Sequence, residues 1–152
     1  MAKQLSKGDQ IPEFKLQDQN EQEINITDRI GVPLVIYFYP KDDTPGCVKE
    51  ACSFRDQFDV FKDYGAEVIG ISGDSPSSHA RFAKKYRLNF TLLSDKGGRV
   101  QKLFGVPKSL FGLLPGRVTY IVDKEGMIRH TFNSQFNAEK HVDEALKIIK
   151  SL

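Results

Sequence analysis

The chain predicts a layered α/β domain built on a mixed sheet, and three observations carry that expectation. Apolar runs of strand length alternate with amphipathic stretches of helical period. The strongest run, Val32 to Tyr39, is apolar at successive positions, as a central strand covered on both faces requires. Two late runs, Val118 to Val122 and Met127 to Phe132, are joined by the turn Asp123-Lys124-Glu125-Gly126, so part of the sheet is antiparallel.

The elements follow in order. Phe14 and Leu16, then Ile24 and Ile26, alternate as a short hairpin around Gln19 to Glu21. Pro40 ends the Val32–Tyr39 strand. A helix starts near Pro45, with Thr44 suited to the N-cap and Pro45 to the first helical position. Cys47, Ala51, Phe54, Phe58 and Phe61 fall on one stripe of that helix, which is expected to run on until Gly65 caps it. Glu67 to Ser72 reads as a buried strand, Ser75 to Tyr86 as an amphipathic helix, Phe90 to Leu93 as a strand and Arg99 to Phe104 as a short helix. Asn137 can cap a last helix whose apolar face carries Val142, Leu146 and Ile149, with Ala145 beside them.

A chain of 152 residues with 39% hydrophobic content suits a single domain, residues 1–152, that buries a real core without disulfides or a structural metal. The 22 basic and 20 acidic residues leave a net charge of +2 with signs interspersed, which gives no footprint for nucleic acid. The longest apolar run is too short to cross a bilayer, and the first residues lack the layout of a secretory signal. The expectation is a soluble, cytoplasmic protein, with an organelle stroma such as the chloroplast's as the alternative if a transit peptide has been removed. Two cysteines are too few for a secreted disulfide framework and fit thiols that are normally kept reduced.

Both cysteines sit in Tyr39-Pro-Lys-Asp-Asp-Thr-Pro-Gly-Cys-Val-Lys-Glu-Ala-Cys52, where the central strand turns into a helix. Cys47 falls in the first turn, near unpaired backbone N–H groups, at the carboxyl end of a strand where α/β proteins place their chemistry. A thiolate is stabilised there, which marks Cys47 as a nucleophile. Ionising most of a thiol population at neutral pH takes roughly 3.4 kcal/mol, whereas a helix terminus supplies ~0.3–1 kcal/mol and ~2 when partly buried. A cation or further donors must therefore converge on Cys47. Cys52, taken alone, reads as a small buried hydrophobe as readily as a reactive group. His79, His130 and His141 are dispersed, each is expected at the surface, and no Cys/His pair has ligand spacing, so no metal is expected.

Pro40, Thr44 and Cys47 form Pro-x-x-x-Thr-x-x-Cys, with Cys52 five positions later. This stretch resembles the peroxiredoxins of the Q type, the bacterioferritin comigratory proteins, and looks most like their plant and cyanobacterial branch. The likeness extends through Glu67–Gly73, Thr91–Asp95 and Leu114–Val122, and so over nearly the whole chain. It implies a thioredoxin-like fold, with a central mixed sheet flanked by helices on both faces, and a cysteine peroxidase without metal or organic cofactor. By the resemblance Cys47 is the peroxidatic cysteine, Cys52 the resolving one, and Pro40, Thr44 and Arg117 complete the active site. Pro40 would shape the loop and shield the thiol, Thr44 would hydrogen-bond the peroxide and the thiolate as well as cap the helix, and Arg117 would supply the charge that the helix alone cannot. Read without the resemblance, Arg117 is a solvated arginine before a strand.

The implied substrate is hydrogen peroxide or an organic hydroperoxide, the implied reductant a thioredoxin-like dithiol protein, and the expected state a monomer. On an intact helix Cys47 and Cys52 point about 140° apart with Cα atoms roughly 8–9 Å from each other, beyond the ~7 Å that a disulfide tolerates. If the two bond, the start of the helix must unwind. A general thiol–disulfide oxidoreductase would want Cys-x-x-Cys, and a metal-delivery or redox-sensing module a closer cysteine pair with a partnering histidine; neither arrangement is present. Leu110, Phe111, Leu113 and Leu114 are expected to form core or pocket wall before Arg117, or a docking surface for a reductase or second subunit.

Overall fold

A computed structural model describes residues 4–109, 114–134 and 137–152, and of Lys108, Ser109, Leu114 and Pro115 the backbone. Nine strands and five α-helices alternate along the described chain: β1 (Lys15–Asp18), β2 (Glu23–Asn25), β3 (Leu34–Phe38), α1 (Pro45–Asp56), α2 (Phe58–Asp63), β4 (Glu67–Ser72), α3 (Pro76–Tyr86), β5 (Thr91–Ser94), α4 (Arg99–Phe104), β6 (Lys108–Ser109), β7 (Leu114–Pro115), β8 (Val118–Val122), β9 (Ile128–Asn133) and α5 (Ala138–Ser151). Seven strands make one mixed sheet in the order β2-β1-β5-β4-β3-β8-β9, and β6 and β7 pair separately. The β3–β4 and β4–β5 pairs are parallel and bridged by helices, while β8 runs antiparallel to β3 and forms a hairpin with β9.

The continuous apolar character of β3 has the expected cause. Leu34, Ile36 and Phe38 enter one core with Val100 and Phe104 of α4 and Phe14 from the N-terminal segment. Val35, Tyr37 and Tyr39 enter a second core, beneath Cys47, Ala51 and Phe54 of α1, Phe61 of α2, Phe82 of α3 and Val142, Ala145 and Ile149 of α5. Side chains alternate faces along a strand, so a strand with helices above and below has no polar positions. Helices thus cover both faces, as expected of a thioredoxin-like domain. The thiol lies where the parallel pair β3–β4 ends and α1 begins.

The helix expected from Pro45 to Gly65 is two helices. Gln57, at φ −98° and ψ 7°, interrupts it and serves as the C-cap of α1 and the N-cap of α2. The apolar stripe runs through the break and hides it: Cys47, Ala51, Phe54 and Phe61 are buried, and Phe58 partly so. Gly65, at φ 72°, ends α2 as anticipated, with its N–H donating to Lys62 O at 2.8 Å and the Ala66 N–H to Phe61 O at 3.0 Å. Leu110, Phe111 and Leu113 of the apolar loop lie outside the described residues, as does the Leu114 side chain.

Candidate active site

Thr44, at φ −101° and ψ 152°, occupies the N-cap position of α1, and Pro45 opens the helix. Cys47 is therefore the third helical residue, and its side chain is 1% exposed. The expected cap bond is absent: Thr44 Oγ1 donates to Lys41 O at 2.9 Å, so the hydroxyl tightens the preceding loop instead of closing the helix. Pro40 is half-buried just beyond β3, at the entrance to that loop.

Arg117 comes from immediately before β8, where Gly116 lets the chain pass against the Pro107 carbonyl; a Cβ on Gly116 would run into that oxygen. Its side chain is buried and reaches α1 across 70 positions of sequence. Nη2 donates to Cys47 Sγ at 3.3 Å, and Nη1 donates to Glu50 Oε1 at 2.5 Å. The planar fork thus spans two side chains one turn apart on the same helix. Burial alone works against the Arg117 charge, but Glu50 and Cys47 together outweigh it and hold the guanidinium above its ordinary value. The Arg117 cation is thus in contact with the Cys47 sulfur.

Glu50 is fully buried. Removal from water raises its carboxyl to about 8, with Arg117 pulling the other way. Its second oxygen, Oε2, has no hydrogen-bond partner among the described residues and lies 3.6 Å from His141 Nδ1 of α5. His141 Nδ1 is 2.7 Å from Thr119 Oγ1 of β8, and Nε2 is 2.7 Å from Ser134 O. Burial pushes His141 down to about 4. The ring is then neutral at neutral pH, with Nε2–H donating to the Ser134 carbonyl and Nδ1 accepting from Thr119.

A second buried network fixes the loop between β3 and α1. Asp42 accepts from Tyr39 OH at 2.6 Å and Ser78 Oγ at 2.9 Å, and its Oδ2 lies 2.7 Å from His79 Nδ1. His79 Nε2 faces Leu93 O at 3.0 Å, and the Asp42 N–H donates to Asp74 Oδ2 at 2.8 Å. Asp43 sits at φ 57°, unusual for a residue with a side chain, and accepts from Lys85 Nζ at 2.8 Å and Tyr86 OH at 2.7 Å. Asp42, Asp74 and His79 lie close enough to hold a cation, but their hydrogen bonds to Tyr39, Ser72, Ser78 and backbone groups account for them.

The structure therefore brings Cys47 and Arg117 together, with Thr44 at the cap. Cys52 lies further along α1, half-buried, and both thiols are free. The expectation that each histidine is a surface residue fails for His79 and His141, which are fully buried, and His130 is half-buried. Partners distant in sequence satisfy the two buried rings. Glu50 and Asp42 give no signal in the sequence, because isolated acidic residues in a helix and a loop carry no sign of burial.

The chain resembles known proteins over most of its length. Residues 7–131 match the model of the AhpC/TSA family. The chain is 55% identical over 148 residues to the chloroplastic peroxiredoxin Q of Populus jackii, covering 97% of this chain and 70% of that protein. It is 53% identical over 147 residues to the chloroplastic peroxiredoxin Q of Arabidopsis thaliana, covering 97% and 68%. Among solved structures, peroxidoxin BcpB of Mycobacterium tuberculosis superposes with a TM-score of 0.90 at 35% identity, covering 97% and 98% of the two chains. Peroxiredoxin Q of Xanthomonas campestris does so with a TM-score of 0.84 at 31% identity, covering 91% and 90%. With a free thiol held by a guanidinium at a helix start and these relatives over its length, the chain belongs to the AhpC/TSA family, as a thiol peroxidase of the peroxiredoxin Q group.

Proposed function

We propose that the chain is an atypical two-cysteine peroxidase in which Cys47 reduces hydrogen peroxide or an organic hydroperoxide, Cys52 resolves the product, and a thioredoxin-like dithiol protein restores both thiols. The contact of Arg117 Nη2 with Cys47 Sγ carries this reading. The thiolate attacks the peroxide oxygen that bears hydrogen. A sulfur–oxygen bond forms as the O–O bond breaks, the sulfur is oxidised to a sulfenic acid, and the departing hydroxide or alkoxide takes up a proton. Lowering a thiol's affinity for its proton also lowers its nucleophilicity, so donors aimed at the departing charge must supply most of the acceleration. Arg117 is the donor in place; Thr44 and Pro40 complete the site by shaping its approach.

Cys47 is 1% exposed and held against Arg117, so the first step uses the folded first turn of α1. The second step requires that turn to open. Cys52 attacks the Cys47 sulfur, the disulfide forms, and hydroxide leaves and is protonated to water. Both cysteines lie on α1, where helix geometry holds them too far apart to bond, so the start of α1 unwinds to let them meet. No step needs a metal or organic cofactor. Among the described residues the large apolar side chains left exposed are Tyr64, Leu103 and Leu152, on three different parts of the fold, which supports a monomer. No helix among the described residues is long and apolar enough to cross a membrane, and the chloroplastic names of the plant relatives support an organelle stroma over the cytoplasm.

Mass spectrometry after one equivalent of peroxide tests the scheme. The parent protein should lose two hydrogens, Cys52→Ser should retain one added oxygen on Cys47, and Cys47→Ser should cease to consume peroxide. Continued turnover by Cys47→Ser overturns the assignment.

A further inference from the structure

We propose that Glu50 is the proton partner of Cys47: the two acids compete for the single charge of Arg117, so the thiolate forms as Glu50 holds a proton, and Glu50 thereby sets the pH range of peroxide attack. The inference rests on Cys47 being the peroxidatic thiol.

The charge balance of the site leads to it. Cys47, Glu50 and Arg117 are 1%, 0% and 3% exposed, and the guanidinium touches both acids through different nitrogens. Three positions apart on one helix, the two acids have Cβ atoms about 5–6 Å apart. If both ionise, the buried cluster carries an uncompensated negative charge, and if neither does, an uncompensated positive one. One proton between them leaves the cluster neutral. Such a pair titrates as a unit, and each acid's ionisation opposes the other's.

Among the described residues the titratable groups packed around the pair leave this balance unchanged. From β3, Tyr37 stays neutral, because burial, then Glu50 and Cys47, raises its phenol well above its ordinary value. From α5, His141 is neutral and its Nδ1 accepts from Thr119, so it offers Glu50 neither charge nor hydrogen. Asp42, from the loop before α1, is tied to Tyr39, Ser78 and His79. Glu50 Oε1 is committed to Arg117, while Oε2 is buried and lacks a hydrogen-bond partner among the described residues. An unpartnered carboxylate oxygen in the interior is costlier than a hydroxyl there, so Oε2 is where the proton resides. The raised affinity of Glu50 for a proton agrees with this.

The cycle then balances. Attack converts the thiolate into a neutral sulfenic acid, and its negative charge departs with the alkoxide. Glu50 becomes the acid that Arg117 neutralises, and it releases a proton as the alkoxide takes one up. Glu50 acts through Arg117 and is a positioning residue.

Two measurements test the coupling. In the first, the second-order rate constant of the reduced protein with hydrogen peroxide is followed by stopped flow across pH, for the parent and Glu50→Gln. Glutamine keeps an oxygen for Arg117 and mimics the protonated carboxyl but cannot ionise, so the acid limb should coincide with the parent's, while the change in rate that follows loss of the Glu50 proton toward alkaline pH should disappear. Superimposable profiles overturn the proposal. In the second, infrared difference spectra follow the buried carboxyl of the reduced parent and of Cys47→Ser. Freed of the thiolate, Glu50 should lose its proton at lower pH in Cys47→Ser, since the coupling is reciprocal. An unchanged carboxyl titration overturns it, whether or not Glu50→Gln folds. A parent protein that ignores peroxide refutes the peroxidase reading instead, and the infrared titration still judges the coupling.

Discussion

A Cβ added to Gly46 would sit 2.9 Å from Arg117 Nη2, the nitrogen that donates to Cys47 Sγ. The residue before the thiol therefore has no side chain because the guanidinium lies over the first turn of α1. Gly46→Ala is expected to push the guanidinium off the sulfur. The loss of one charge-assisted hydrogen bond, ~1.5–3 kcal/mol, corresponds to a roughly 10- to 100-fold slower reaction with peroxide. Alanine favours a helix over glycine, so thermal stability should hold or rise slightly. A stopped-flow rate equal to the parent's would show that the guanidinium moves aside without leaving the sulfur.

Arg117→Lys tests the fork itself. A lysine ammonium is a point charge and cannot hold Cys47 and Glu50 through two nitrogens of one plane, as Nη2 and Nη1 do. The expected loss is about 10²- to 10³-fold in the peroxide rate, the range for removing one donor from a developing charge. Measured with Glu50→Gln in a double-mutant cycle, the effects of the two substitutions on the rate should depart from additivity, because both act on one cluster. Simple additivity would place Arg117 and Glu50 in independent roles.

How much of this the sequence discloses depends on the range of the cause. The Val32–Tyr39 run announces a central strand because burial on both faces leaves its mark on every residue, and Cys47 announces itself through the local Thr-Pro-Gly and the strand before it. Arg117 is different. Alone it looks solvated, and only the likeness to a known family, then the 3.3 Å contact, attaches it to the thiol. Glu50, His79 and His141 are invisible for the same reason: the partners that permit their burial are Arg117, Asp42 with the Leu93 carbonyl, and Thr119 with the Ser134 carbonyl, all supplied by the completed fold. The break at Gln57 leaves no local signal because the apolar stripe of α1 continues into α2.

Glu50 and His141 make opposite contributions to stability against pH. Glu50 is raised from 4.5 to about 8 on folding, so its contribution is fully present below pH 4.5 and is lost as pH rises through 8. His141 is lowered from 6.5 to about 4, so its contribution is fully present above pH 6.5 and is lost as pH falls through 4. Between about 4.5 and 6.5 the slopes of Glu50 and His141 offset each other. From 6.5 to 8 the Glu50 slope is opposed by the Cys47 thiolate, which takes up a proton when the chain unfolds, so the stability of the reduced parent in urea unfolding should stay nearly level there. Glu50→Gln removes the Glu50 slope and should gain stability as pH rises, from 4.5 to 6.5 through His141 and by about 2 kcal/mol from 6.5 to 8 through the thiolate. A parent and variant with parallel curves would contradict the assignment of the slope to Glu50.

The network at Asp42 bears on how far α1 unwinds. Asp42 is tied to Tyr39, Ser78 and His79, Asp43 is tied to Lys85 and Tyr86, and Arg55 Nη1 donates to Tyr86 O at 2.7 Å. Helix α3 thus holds the chain on both sides of the segment that carries the two thiols. Opening should be confined to residues 44–54, since the anchors lie outside them. Hydrogen exchange of the Cys47–Cys52 disulfide form should show amides of Val48 to Ala51 losing protection while Asp42 keeps its own, donated to Asp74. Replacing Asp42 by alanine removes one partner from a buried network, which costs about 3–5 kcal/mol, and should let exchange spread back toward Pro40 in the oxidised protein. An oxidised protein in which the first turns of α1 stay as protected as in the reduced one would mean that the two sulfurs meet by another route, and unwinding of the helix start would no longer be part of the cycle.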